Sequence, residues 1–193
     1  MNKRIYLIII LIFSVSTHVY ADNYFNEQLV LANKGNPQAQ INIGKIYANG
    51  MLDIPPDAKK AFEWYSKAAE LGNADAQLKL AFMYDGWNGI NEDKGKAFEW
   101  CTKAANQDHV YAQVYLGLMY EAEENILSYK RAFEWYSKAA NKGFADGQYH
   151  LGRMYASGLG VKQNKNLALQ WLKKAADQGN ISAISEIEEI NNN

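Results

Sequence analysis

His109, His150, Cys101 and Trp87 are the side chains with the most chemistry to offer in residues 22–193. His150 stands three residues before Arg153, a spacing that puts an imidazole and a guanidinium on one helix face. Acid–base catalysis would need that pair beside a nucleophile or a carboxylate. No motif supplies one. H-E-x-x-H, G-x-S-x-G and a phosphate-binding glycine loop are all missing from the sequence. No catalytic residue, metal ligand or cofactor is assigned, and the chain reads as non-enzymatic. His109 and His150 read as plain surface or groove histidines. Cys101 reads as a buried, inert thiol, because reactivity needs exposure and a lowered pKa. Redox or metal roles are its alternatives. Trp87 lies in the loop Gly86-Trp87-Asn88-Gly89. It either contacts a partner, as tryptophan often does at hot spots, or folds back over its own loop. Glu121, Glu123 and Glu124 form a small acidic patch, read as a solvated loop. Asn180-Ile181-Ser182 would accept a glycan only in a eukaryotic secretory pathway.

These residues are spread over a repeated frame. The pattern W-[YCL]-x-K-A-A starts at Trp64, Trp100, Trp135 and Trp171, in steps of 36, 35 and 36 residues. Such a period signals stacked supersecondary units. Each unit opens with a second pattern, first seen as Ala39 to Tyr47, then at 76–84, 112–120 and 147–155. Ala39, Ile43, Ile46 and Tyr47 fall on one face of a helix. Ala61, Trp64, Tyr65, Ala68 and Ala69 do the same in a second helix, so the repeat tryptophans read as core. Asp57, Asp93, Ser128 and Asn164 are the expected N-caps of the four second helices. These helices should end at Gly72, Asp108, Gly143 and Gly179, three of them glycines suited to a left-handed residue. First helices should begin near Asn36 and Asn73, with Pro37 just inside the start. Gly44, Gly117 and Gly152 sit mid-helix, with Ala81 at the equivalent place. Glycine there costs about 1 kcal/mol relative to alanine, which suggests another backbone passing close by.

The expected fold is all-α: four full repeats of paired antiparallel helices with half-repeat caps, about ten helices and no strands. Residues 22–35 form the N-terminal cap, 36–72, 73–108, 109–143 and 144–179 the repeats, and 180–193 the C-terminal cap. Glu27, Glu188 and Asn191 put polar groups where no further repeat would cover them, as solenoid ends require.

Residues 1–21 read as a cleaved secretory signal, with an uncleaved anchor as the alternative. Lys3 and Arg4 precede the apolar run Ile5 to Phe13, and Val19-Tyr20-Ala21 supplies the cleavage site. The run is short of the about 20 residues a membrane span needs. Cleavage is expected after Ala21, giving a periplasmic or secreted protein with no membrane insertion afterwards. Without Lys3 and Arg4, the 20 basic residues fall to 18 against 21 acidic ones, leaving a net charge of −3. No basic stripe offers a footprint for nucleic acid. A single cysteine leaves no disulfide framework.

The A-Q-x-x-L-G-x-M-Y opening, the K-A-F-E-W-Y-x-K-A-A second helix and the period near 36 resemble the Sel-one-like repeats (SLR), relatives of the tetratricopeptide repeat. That resemblance implies a right-handed superhelix of paired helices with first helices lining the concave side. It implies a monomeric adaptor or regulator that binds another protein, in envelope assembly, virulence or signalling. An immunity protein that neutralises a secreted toxin is one alternative, and an enzyme or small-ligand binder using the groove near His150 and Arg153 is the other. A cysteine-rich branch is credited with β-lactam binding, but its paired cysteines are absent here, so that activity is not carried over.

The expected contacts are the outward positions of the first helices: Asn42 and Lys45, Lys79 and Phe82, Tyr115 and Leu118, His150 and Arg153. Phe82, Tyr115 and Leu118 would give an apolar centre with a polar rim, as interfaces are commonly built. Alternatively, neighbouring helices cover some of these side chains.

Overall fold

The structure is a computed structural model that describes residues 21–86 and 91–192. Residues 1–20, which hold all but the last residue of the expected signal, and Trp87 lie outside the described residues. Within them there are ten helices and no strand. α1 covers 21–33. The others are α2 (Pro37–Asn49), α3 (Ala58–Glu70), α4 (Ala74–Tyr84), α5 (Lys94–Asn106), α6 (Val110–Glu121), α7 (Ile126–Asn141), α8 (Ala145–Ser157), α9 (Lys165–Ala176) and α10 (Ile181–Asn192). The chain is a helical-repeat solenoid that splits into two compact units, Met1–Ala97 and Phe98–Asn193.

In the first unit α2 packs on α3 and α3 on α4. Its core gathers Ala32, Ala39, Ile43, Ile46 and Trp64, with Phe25, Leu29 and Tyr47 against them. In the second unit α6 packs on α7, α7 on α8, α8 on α9 and α9 on α10. Tyr136, Leu151 and Met154 fill the heart of that unit, and Leu172, Ala175 and Ala183 close its end.

Local signals place the helix starts. Asn36, Asn73, Asp57, Asp93 and Asn164 each accept from a backbone N–H three residues on. Each thereby satisfies one of the free donors of a first turn. His109 does the same work, its Nδ1 accepting from the Ala112 N–H at 3.2 Å. It is a helix cap rather than a plain surface histidine. Ser128 is not a cap. Asn125 accepts from both Leu127 N–H and Ser128 N–H, so α7 starts a turn earlier. The segment before it has no glycine or proline to stop that, and Ser128 instead donates to Glu123.

Two contacts recur along the chain. An edge-to-face pair joins the phenylalanine of one repeat to the tyrosine of the next first helix: Phe25–Tyr47, Phe62–Tyr84, Phe98–Tyr120 and Phe133–Tyr155. Such pairs add about 0.5–1.5 kcal/mol beyond the area they bury. α1 makes the same contact as the full repeats, which is how it caps them. Buried glutamines form the second tie. Gln40, Gln77, Gln113 and Gln148 donate to the carbonyls of Ala32, Ala69, Ala105 and Ala140, near the end of the preceding second helix. Each of these carbonyls already accepts a backbone N–H from three residues on, and the glutamine fills its second lone pair. Gln113→Ala is therefore expected to cost about 1–3 kcal/mol in urea melts. An unchanged midpoint would show that the tie is not stabilising.

Gly44 and Gly117 face rings rather than the passing backbone expected from sequence, while a Cβ on Gly152 would face a side chain and the Ala168 carbonyl at 3.2 Å. A Cβ on Gly44 would lie 2.5 Å from the Tyr65 ring, and one on Gly117 2.4 Å from the Tyr136 ring. On Gly152 it would meet Leu172 Cγ at 2.7 Å. Backbone comes closer at Gly147, where a Cβ would be 2.8 Å from Ala140 N.

The repeat tryptophans are shallower than their register implies. Trp64 is buried at 9% exposure, while Trp100, Trp135 and Trp171 are half-buried. Each lies under the lysine of its own motif: Lys67, Lys103, Lys138 and Lys174 sit 3.6–4.0 Å from the ring centroids. The W-x-x-K spacing is thus a cation–π pair on one helix face. The deepest residue of the motif is the next one along, with Tyr65 at 3% exposure and Cys101, Tyr136 and Leu172 at 0%.

Candidate functional site

Tyr136, at the heart of the second unit, organises a polar cluster of four residues. Its hydroxyl donates to Glu121 Oε2 at 2.8 Å. Arg153 Nη2 donates to the other oxygen, Oε1, at 3.1 Å. The His150 ring stacks on Tyr136, with centroids 4.6 Å apart and planes 12° apart. Arg153 Nη1 lies 3.5 Å from His150 Nδ1. A guanidinium has only donors, so Nδ1 accepts and the imidazole proton sits on Nε2. Glu121 ends α6, Tyr136 sits on α7, and His150 and Arg153 on α8. The network therefore ties three helices together.

Glu121 was expected in a solvated acidic patch, and the structure corrects that. Its side chain is 18% exposed and paired with Arg153. A carboxylate does stand beside His150 and Arg153, though no local motif announces it. Burial and the Arg153 charge push the His150 pKa down to about 4, against the opposing pull of Glu121 and Asp146. Burial and the Glu121 charge push the Tyr136 hydroxyl well above its usual range. At neutral pH the cluster is thus a neutral imidazole, a neutral phenol and one closed ion pair. No nucleophile stands among these four residues.

The His150 shift has a stability consequence. The folded pKa lies below the unfolded one, about 6.5. The unfolded state therefore binds more protons between about pH 6.5 and 4, and stability rises with pH through that window. His150→Gln is expected to narrow the difference between melts at pH 7 and pH 4.5. An identical difference in both proteins would show that His150 is not the group responsible.

The first unit carries the equivalent register with different residues. Lys45, Ala48, Asn49, Tyr65, Lys79, Phe82 and Met83 line a cavity of about 380 Å³. Lys45 is exposed, Lys79 and Phe82 are half-buried, and Tyr65 forms the buried wall. Burial pushes the Tyr65 pKa up to about 12, so its hydroxyl keeps its proton at neutral pH. Asn42 is engaged internally, donating to Gln28 and accepting from Gln38. Tyr115 is half-buried and Leu118 exposed at 39%. The structure thus gathers Lys45, Lys79 and Phe82 around one cavity of the first unit. It joins His150 and Arg153 in one cluster of the second. Tyr65, Tyr136 and Glu121 were not among the site residues expected from sequence, Glu121 being read there only as part of a solvated patch. The tyrosines were visible as motif residues, but Glu121 had no local signal.

Cys101 is fully buried, its Sγ 3.4 Å from the Ala112 carbonyl. Among the described residues no group of three histidine, cysteine or acidic side chains comes together to hold a metal ion. No helix among them is long and apolar enough to cross a membrane.

Four consecutive matches to the Sel1 repeat cover residues 37–73, 74–109, 110–144 and 145–180. The chain belongs to the Sel1 repeat family. Proteins of this family are generally protein–protein interaction modules, and the fold is typically a non-enzymatic scaffold. Among solved structures, one similar to this chain is a protective antigen present in uropathogenic Escherichia coli strains, described as displaying an SLR fold. It is 35% identical with a TM-score of 0.80, over 91% of this chain and 40% of that one. This chain therefore spans well under half of that relative. A Sel1 repeat protein from Oxalobacter formigenes is 30% identical with a TM-score of 0.80, covering 88% of this chain and 69% of its own. Helicobacter pylori cysteine rich protein B is 30% identical with a TM-score of 0.51, over 66% of this chain. Compared by sequence with curated proteins, the chain matches none.

Proposed function

We propose that this protein is an exported, monomeric, non-enzymatic module that binds a partner protein through the outward faces of its first helices. The observation that carries this reading is the makeup of those faces within a Sel1 repeat frame. Leu118 is exposed and Tyr115 half-buried on α6, while Lys45, Lys79 and Phe82 surround an open cavity in the first unit. The ionisable cluster supports binding rather than turnover, because its carboxylate is consumed by Arg153 and Tyr136. Export rests on the Lys3-Arg4 start, the apolar run and the Val19-Tyr20-Ala21 site.

Affinity purification from the organism's own envelope extract tests the reading. The native protein should recover a specific partner, and its intact mass should fit a chain starting at Asp22. A Tyr115→Ala, Leu118→Ala variant should lose that partner by roughly thirtyfold in affinity or more, as for a hot spot worth about 2 kcal/mol. Its circular dichroism should be unchanged. Unchanged affinity would move the binding surface elsewhere. A product retaining Met1 would sink the export assignment. A secreted toxin as the recovered partner would make the protein an immunity factor.

A further inference from the structure

We propose that the first-unit cavity is a carboxylate-binding site, built for a carboxylate carried on an apolar stem. The proposal goes beyond partner binding, since it assigns a ligand chemistry to one cavity whether or not a protein carries that ligand.

Three observations support it. First, Tyr65 is only 3% exposed and lines the cavity. Second, Lys45 and Lys79 line the same cavity, form no ion pair among the described residues, and face no acidic lining residue. The two ammonium groups can only donate and the phenolic O–H can donate as well, so the cavity is cationic and rich in donors.

Third, the chain shows what this register takes when it is filled. Four residues after Gly117 stands Glu121, which accepts from the Tyr136 hydroxyl. Four residues after Gly44 stands Ala48. The second unit thus supplies its own carboxylate to the tyrosine, and the first leaves that place open. Arg153 neutralises Glu121 in the second unit. Lys45 and Lys79 are the cations available to an incoming acid in the first. Phe82, Met83 and Ala48 give the cavity an apolar side. Its volume of about 380 Å³ accommodates a ring or short alkyl stem as well as the charged head. Inorganic phosphate would leave that apolar side unused.

Titrations of the ¹⁵N-labelled protein, followed at the amides of Gly44 and Phe82, test the site. Phenylacetate should give saturating shifts. Phenylacetamide, which keeps the stem and loses the charge, should bind at least about tenfold more weakly, as should inorganic phosphate. A Lys45→Gln, Lys79→Gln variant should lose the phenylacetate response. Tyr65→Phe should weaken binding about tenfold to a hundredfold, the effect of one hydrogen bond to a charged group. It should leave the melting temperature unchanged, which separates binding from folding. N-acetyl-Gly-Gly-Phe and its C-terminal amide distinguish the source of the acid. A tripeptide acid binding much tighter than phenylacetate assigns a peptide terminus, and equal or weaker binding assigns a free small acid. Equal binding of phenylacetamide, tighter binding of phosphate, a full response in the double lysine variant, or no saturation would overturn the proposal.

Discussion

Tyr136→Ala is expected to cost about 3–5 kcal/mol of stability, the range for deleting a large buried aromatic side chain. Trp135→Ala, its immediate neighbour, should cost only about 1–2 kcal/mol, because part of that ring stays solvated and lies under Lys138. The order reverses what residue size alone would give. Tyr136 is fully buried, stacks on His150, touches Gly117 and holds Glu121 through its hydroxyl. Its loss opens a cavity and removes one of the two donors on a carboxylate. Removing Trp135 takes away a ring at the edge of the helix layer. Urea melts of both variants, followed by circular dichroism, measure the two losses directly. Equal losses, or a larger one for Trp135, would mean that the tryptophan side of the motif carries the core after all.

The contrast between these neighbours shows which part of the fold is legible in the sequence. Helical register tells which face a residue occupies, and it put Trp135 and Tyr136 on the inward side. It carries no information on depth, so the tryptophans read as core when three of four are half-buried. Capping was legible at Asn36, Asn73, Asp57, Asp93 and Asn164, since a cap bonds to a backbone group only three residues away. It failed at Ser128 because Asn125 offers the same side-chain acceptor one turn earlier. The polar cluster was illegible for a related reason. Glu121 meets Tyr136 and Arg153 across 15 and 32 residues of chain. Only packing of α6, α7 and α8 brings them together, and no spacing rule spans such separations. The Tyr65 cavity is harder still to foresee. An alanine at 48 means nothing until Glu121 shows what the register can hold.

Gly117→Ala should destabilise the protein even though alanine is the better helix former. Propensity alone would favour alanine by about 1 kcal/mol in mid-helix. The new Cβ would lie 2.4 Å from Tyr136 Cε1, a distance that real contacts do not reach. The ring has little room to retreat, held by Glu121 at its hydroxyl and by His150 on its face. Overpacking of this kind costs about 1–3 kcal/mol, so the clash outweighs propensity and the net sign is a loss. The chain contains its own control. In the second repeat both registers change together, with Ala81 at the glycine place and Cys101 at the tyrosine place. Gly117→Ala made on a Tyr136→Cys background should therefore cost nothing, or gain up to about 1 kcal/mol from propensity. The four proteins form a double-mutant cycle with an expected coupling of about 1–3 kcal/mol. Gly143→Ala serves as the contrast. Nothing lies within 4 Å of its built Cβ, but its φ of +83° is left-handed. Its cost of about 1–2 kcal/mol should come from torsion alone and be the same on either background. Additive losses for Gly117 and Tyr136 would show that the glycine is kept for some reason other than the ring.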